Sequence, residues 1–400
     1  LSGGEYVFLS RQMHPFIGFM AGWISMVAGF SGAIGAAALA ILDYGAPLLG
    51  MEDVGKAGPL IAAAIICGAG LNHAIGLRIG SMTQNTIVLL KLSVLVALGI
   101  IGWGFVAIWG APNPEQWSVA RTPAEPLAPN LSLEVLCSQL MWISFSYAGY
   151  NAAVYIAGEA QSPANQQRQS IVPRAMLVGT AAAMVIYVAL NALLFAVVPA
   201  GILAGNQNVA LIAASAFSQA SLGPVLPLIV GGTIVVSLLT SILAMVQAAP
   251  RVYQQMARDG MLPKFFDAEE SSGAESSKAE SSAGRLPLRC LALQVALAVA
   301  LVFISDLVEL IEYTAFLLMI SSAMTVSCLL LPSMRGTTGN RPLLGWPVTP
   351  ILFIVVALVT AFFAFRFRWE TRADNMMKIL LVLPLGALLY AAMRWFRQPT

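Results

Sequence analysis

The stretch Trp142-Ile143-Ser144-Phe145-Ser146-Tyr147-Ala148-Gly149-Tyr150-Asn151 crowds hydroxyls, a glycine and an amide into the middle of an otherwise apolar run. Glycine and residues indifferent to the helix make local unwinding easy there. A broken backbone at membrane depth is tolerated only where it lines a cavity, and the carbonyls it frees can hold an ammonium group or a cation. Ser144, Phe145, Ser146, Tyr147, Ala148, Gly149, Tyr150 and Asn151 are therefore the candidate substrate-binding residues. The same residues also fit an unbroken buried helix whose Ser and Tyr hydroxyls bond to neighbouring helices. The second candidate is Lys91, the one formally charged residue well inside an apolar span. An ammonium buried at that depth needs a partner or must give up its proton, which makes it a functional candidate by default. The competing reading is a lysine whose long stem reaches back to the interface. Thr240 and Ser241 are the hydroxyls that could stand near it.

These groups must be positioned by helices in lipid. Of the 400 residues 58% are hydrophobic and 10% charged, against about 25% charged in soluble globular domains, so a soluble fold is excluded. The net charge of +2 is too balanced to point to nucleic acid. A helix needs about 20 apolar residues to cross a bilayer, and the charge-free stretches give ten predicted spans: 14–42, 57–77, 84–108, 134–158, 174–198, 222–249, 287–305, 309–332, 346–366 and 376–395. The segments are long and continuously apolar, which excludes the alternating pattern of outer-membrane strands. Lys and Arg excess marks cytoplasmic loops. With the N-terminus inside, that side collects Arg11, Arg78, Arg168, Arg174, Arg251, Arg258, Arg285, Arg289, Arg335 and Arg341, and both termini are cytoplasmic. Residues 268–284 form a Ser/Ala/Glu tract with nothing to bury and read as a disordered cytoplasmic insertion. Cys67, Cys137, Cys290 and Cys328 are scattered without metal-ligand spacing and read as small buried hydrophobes. No metal or cofactor is implied. No charged segment with a short apolar core precedes the first span, so no leader peptide is expected.

Phe145-Ser146-Tyr147-Ala148-Gly149-Tyr150-Asn151, followed by Tyr155-Ile156-Ala157-Gly158-Glu159 and Val172-Pro173-Arg174-Ala175, resembles the sixth-helix signature of the amino acid–polyamine–organocation permeases. Pro250-Arg251-Val252-Tyr253 with Met256-Ala257-Arg258-Asp259-Gly260-Met261-Leu262-Pro263 resembles the motif after that family's eighth helix, and Gly3-Gly4-Glu5-Tyr6 the loop after its second. The three fall in the family's order, and the hydropathy is similar over nearly the whole chain. The resemblance implies an all-α integral membrane protein with the LeuT-like inverted-repeat fold. Its implied activity is secondary transport of a small amino acid by alternating access, in a bacterial inner (plasma) membrane, with protons and the lipid bilayer as partners. In that picture carbonyls around Ser144 to Gly149 hold the substrate ammonium, Phe145 closes over it, and Tyr147, Tyr150 and Asn151 shape the pocket. Lys91 matches a family lysine that takes the place of a sodium ion and carries the coupling proton. The ten spans correspond to the family's third to twelfth, so its first two helices are expected to be missing from this chain.

The remaining polar residues carry structural expectations. No acid lies deep within a span to pair with a cationic substrate, which favours neutral amino acids. Glu309 and Glu312 sit where carboxylates favour a helix N-terminus. Glu159 fits an interfacial ion pair. His14 and His73 lie near span ends, and Asn191 fits a helix–helix hydrogen bond. Gly18, Gly22, Gly29, Gly32 and Gly35 read as close helix packing, and Trp23, Trp103 and Trp395 as interfacial aromatics. Two alternatives stand beside transport. A truncated, non-transporting membrane subunit or remnant of a permease would keep the fold and lose the site. An intramembrane enzyme would need a nucleophile–base pair or metal ligands, and the two histidines and scattered thiols argue against it.

Overall fold

The computed structural model describes residues 4–51, 54–75, 80–110, 132–151, 171–198, 208–217, 225–267, 287–331 and 345–395. Within them the chain is helical throughout. The helices are α1 (Gly4–Gln12), α2 (Pro15–Ile24), α3 (Ala33–Leu48), α4 (Gly58–Ala74), α5 (Gly80–Trp109), α6 (Leu133–Ser146), α7 (Ile171–Val197), α8 (Val209–Phe217), α9 (Leu226–Arg258), α10 (Leu288–Ile304), α11 (Leu307–Ser327), α12 (Val348–Thr371) and α13 (Ala373–Trp395). Eight helical stretches among the described residues are long and apolar enough to cross a membrane, and α6 and α10 are shorter apolar helices. The insertion at 268–284, Glu159 and the Tyr155–Gly158 part of the sixth-helix motif lie outside the described residues.

Local chemistry sets the helix ends. His14 caps α2, its Nδ1 accepting from the amide of Phe16, and Pro15 occupies the first turn, where its missing N–H costs nothing. Ser132 caps α6 by accepting from the amide of Val135. Asp306 caps α11 by accepting from the amide of Glu309 at 2.8 Å. Asp306 is the cap and Glu309 lies in the first turn, as the sequence reading expects of a carboxylate there, whereas Glu312 lies beyond that turn. Glu309 is engaged by α13, and Glu312 by α12 and α13.

The first predicted span is one continuous helix from Pro15 to Leu48, and its middle, Ser25–Gly32, is a π-helix. Ser31 Oγ donates to the Met26 carbonyl at 2.7 Å inside this stretch. The glycines there do what their spacing suggested. A Cβ on Gly32 would stand 2.6 Å from Thr314 Oγ1 of α11, and one on Gly22 2.6 Å from Met256 Sδ of α9. The core lies on either side of this long helix, with α3 packed on α9, α4 and α11. By contrast α5 and α7 leave Leu89, Leu90, Ile100, Leu177, Val178 and Val188 exposed, as lipid-facing side chains would be.

Four sequence expectations are corrected by packing. Gly4, Glu5 and Tyr6 open helix α1 instead of lying in a loop, and Tyr6 and Leu9 are fully buried by it. Trp23 is 8% exposed and donates its Nε1–H to the Val382 carbonyl at 2.9 Å, so it is a core residue of the α2–α13 contact and not an interfacial one. Asn191 Nδ2 donates to the Tyr187 carbonyl of its own helix at 2.8 Å, which satisfies the amide without a second helix. Helix α9 continues past the predicted end at 249, through Pro250, to Arg258. Burial of Val252, Tyr253 and Met256 outweighs the hydrogen bond that Pro250 cannot make.

At one end of the bundle two of the motifs meet. Tyr6 Oη donates to Asp259 Oδ2 at 2.8 Å, and Gln255 Nε2 donates to Asp259 Oδ1 at 3.0 Å. Burial first, then the Asp259 carboxylate, pushes the Tyr6 phenol well above its ordinary pKa. Ser321 Oγ of α11 donates to Glu5 Oε2 at 2.6 Å, so α1 straps α9 to α11.

Candidate functional site

Helix α6 stops at Ser146, Tyr147 is in a turn, and Ala148–Asn151 is a short 3₁₀ segment. The break is local chemistry at work. Ser146 Oγ donates back to the Ile143 carbonyl at 2.7 Å, competing with the helical ladder. The amide of Tyr147 bonds to the Ser144 carbonyl at 3.2 Å, a tighter turn than the α-helix makes. The Ser146 carbonyl accepts from Tyr187 Oη of α7 at 3.3 Å, and the Tyr147 and Tyr187 rings meet edge to face at 5.3 Å. So at least one carbonyl at the break is held by the protein itself. A Cβ on Gly149 would meet nothing within 4 Å.

Beside the break lies a cavity of about 320 Å³ between α6, α11 and α12. Ser144, Phe145, Tyr147 and Ala148 form one wall, Ala315, Leu318, Met319 and Ser322 of α11 a second, and Phe353, Val356, Ala357 and Thr360 of α12 a third. Among the described residues its polar side chains are hydroxyls only, those of Ser144, Tyr147, Ser322 and Thr360, and no charged side chain lines it. Of the eight predicted residues, four line this cavity. Ser146 and Gly149 do not, and the side chains of Tyr150 and Asn151 lie outside the described residues. The α11 and α12 walls were not anticipated. Their only signal in the sequence is a small hydroxyl residue in an apolar span, Ser322 and Thr360, which equally fits helix packing.

Lys91 stands elsewhere. Its Nζ donates to Thr240 Oγ1 of α9 at 3.2 Å, and Thr240, 4% exposed, donates its own hydroxyl to the Ser237 carbonyl at 2.8 Å. Ser241 also donates to the Ser237 carbonyl, at 2.9 Å. Among the described residues Lys91 has no ion-pair partner. It does not line the cavity at the α6 break: α5 packs on α7 and α9, whereas α6 packs on α11 and α12. His73 Nε2 lies 3.0 Å from the Leu243 carbonyl of α9.

Comparison with known proteins converges on one family. A family model described as amino acid permease matches residues 1–383. The serine/threonine exchanger SteT of Bacillus subtilis is 26% identical over 360 residues, covering 88% of this chain and 74% of SteT. The high-affinity methionine permease of Saccharomyces cerevisiae is 26% identical over 208 residues, 52% of this chain and 34% of that protein. Mouse solute carrier family 7 member 13 is 24% identical over 350 residues, 85% of this chain and 66% of its own length.

Proposed function

This chain belongs to the amino acid permease family, an integral membrane family of transporters and not of enzymes, and we propose that it is a secondary active transporter of neutral amino acids coupled to protons. The observation that carries the reading is the helix break at Ser146–Asn151 beside a cavity with hydroxyls and no charged side chain. A zwitterion carries two charges of its own, and backbone dipoles at a helix break can meet them without a counter-ion. A cationic or anionic side chain would need an opposite charge in the cavity wall, and none is there among the described residues. Phe145 closes over the substrate, and Ser144, Tyr147 and Ala148 shape its pocket. Tyr150 and Asn151 belong to the same proposal through their place in the broken segment.

Proton coupling is assigned to Lys91. Among the described residues Lys91 is held by one hydroxyl and by no carboxylate, so its ammonium has no fixed counter-charge. The ten spans, with both termini cytoplasmic, complete the proposal. The test is uptake of radiolabelled amino acids by proteoliposomes of the full-length protein, with and without an imposed proton gradient. Accumulation that follows the proton gradient and favours neutral amino acids supports the reading. Accumulation that requires sodium, or that is unchanged in Lys91→Ala, removes the proton role.

A further inference from the structure

Glu312 lies one and a half turns into α11 with its side chain 1% exposed. Its partner is Arg368 of α12, 14% exposed, with Nη1 at 2.9 Å from Glu312 Oε1. Asn375 of α13 donates to the other carboxylate oxygen at 3.4 Å. The same guanidinium stands 5.8 Å from the ring centroid of Trp142 on α6. One side chain thus joins α11, α12 and α6, the three helices that wall the cavity. Ala315 lies one turn from Glu312, Thr360 two turns from Arg368, and Ile143 next to Trp142, and all three line that cavity. At the rim Arg366 pairs with Glu134 of α6 at 3.3 Å, and Lys378 of α13 with Glu309 at 2.7 Å. The buried pair is close but poorly aligned: among the described residues neither Glu312 Oε1 nor Arg368 Nε has a hydrogen-bond partner.

We propose that the Glu312–Arg368 pair, backed by Trp142, is the outer closure of this cavity, a joint that parts when the cavity opens and re-forms when it shuts. Removing two charges from water is costly, and their attraction in a dry interior roughly offsets that cost only when their hydrogen bonding is complete. Here it is incomplete. Parting the pair lets both groups hydrate, so the closed and open states lie near one another in free energy, as a two-state joint requires. An apolar contact of the same size would gain nothing from opening. Arg368 and Glu312 are positioning residues in this account and do not touch substrate.

The inference rests on the cavity being the transport site, and its test separates the two. In full-length protein a reporter, Thr360→Cys, is labelled with a membrane-impermeant maleimide in right-side-out and inside-out vesicles, with wild-type cysteines replaced. Glu312→Gln strands the guanidinium and raises outside labelling several-fold. Glu312→Leu with Arg368→Met locks the joint, lowering outside labelling and uptake together, while size-exclusion behaviour stays that of wild type. The exchanged pair, Glu312→Arg with Arg368→Glu, restores labelling toward wild type and covers the case in which either variant misfolds. Equal labelling across the set overturns the proposal, and so does a response confined to inside-out vesicles. If labelling responds as expected but no amino acid protects the reporter, the closure stands and the substrate assignment falls.

Discussion

The cavity at the α6 break and the Lys91 contact are both polar intrusions into apolar helices, and they are built in opposite ways. At the break the polarity is in the backbone and in hydroxyls, the walls come from three helices, and among the described residues the formal charges near it lie outside the cavity, toward one end, as Glu312, Arg368, Glu134 and Arg366. At Lys91 the polarity is a single titratable side chain, held by one hydroxyl of one neighbouring helix. A neutral, dipole-lined cavity suits a ligand that brings its own charges; a lone lysine suits a group that changes charge. On the proposed reading the contrast separates substrate in one region from the proton in the other. It also requires that the two communicate through packed helices, because they share no lining residue.

The comparison breaks first if filling the break does no harm. Gly149→Leu adds a side chain where a Cβ meets nothing within 4 Å, so folding is retained. Uptake is expected to disappear, as read in proteoliposomes against the protein's monodispersity. Lys91→Ala should have the next largest effect and a different one. Gradient-driven accumulation collapses to equilibration, while exchange of internal for external substrate, measured by counterflow, continues. Thr240→Val is smaller. It removes the acceptor that Lys91 has among the described residues, a charge-assisted hydrogen bond of about 1.5–3 kcal/mol. The uptake-against-pH curve should move while substrate binding at a fixed pH does not.

Tyr6→Phe touches neither region and calibrates both. It removes the bond to the Asp259 carboxylate, worth about 1.5–3 kcal/mol, and should lower thermal stability with no change in substrate preference. The Tyr6 phenol titrates higher in the folded protein than in the unfolded chain, through burial and then Asp259. Its contribution is therefore present at neutral pH and is lost only as the pH rises above about 10, the ordinary tyrosine value. The variant should lack that part of the alkaline destabilisation in a thermal melt.

Much of this arrangement was legible in the residues. The break in α6 was readable because its cause is local: Ser146, Tyr147 and Gly149 act on their own turn of backbone. Lys91 stood out because a charge in an apolar run has no cheap explanation. What could not be read depends on contacts across long sequence distances. Glu312 looks like a helix-start carboxylate until α12 and α13 bring Arg368 and Asn375 to it. Trp23 looks interfacial until α13 presents the Val382 carbonyl. Ser322 and Thr360 become cavity walls only when α11 and α12 stand beside α6. Helix α8, a short apolar helix, lies between the predicted spans 174–198 and 222–249, where no element was expected.

The central claim is that substrate binds at the α6 break and not at Lys91. Equilibrium binding of a radiolabelled neutral amino acid to purified full-length protein tests it, with wild type, Ser322→Trp and Lys91→Ala measured side by side. The account predicts that Ser322→Trp, which fills the cavity from the α11 wall, loses binding, and that Lys91→Ala binds as wild type does. Wild-type binding by Ser322→Trp, or loss confined to Lys91→Ala, would contradict it.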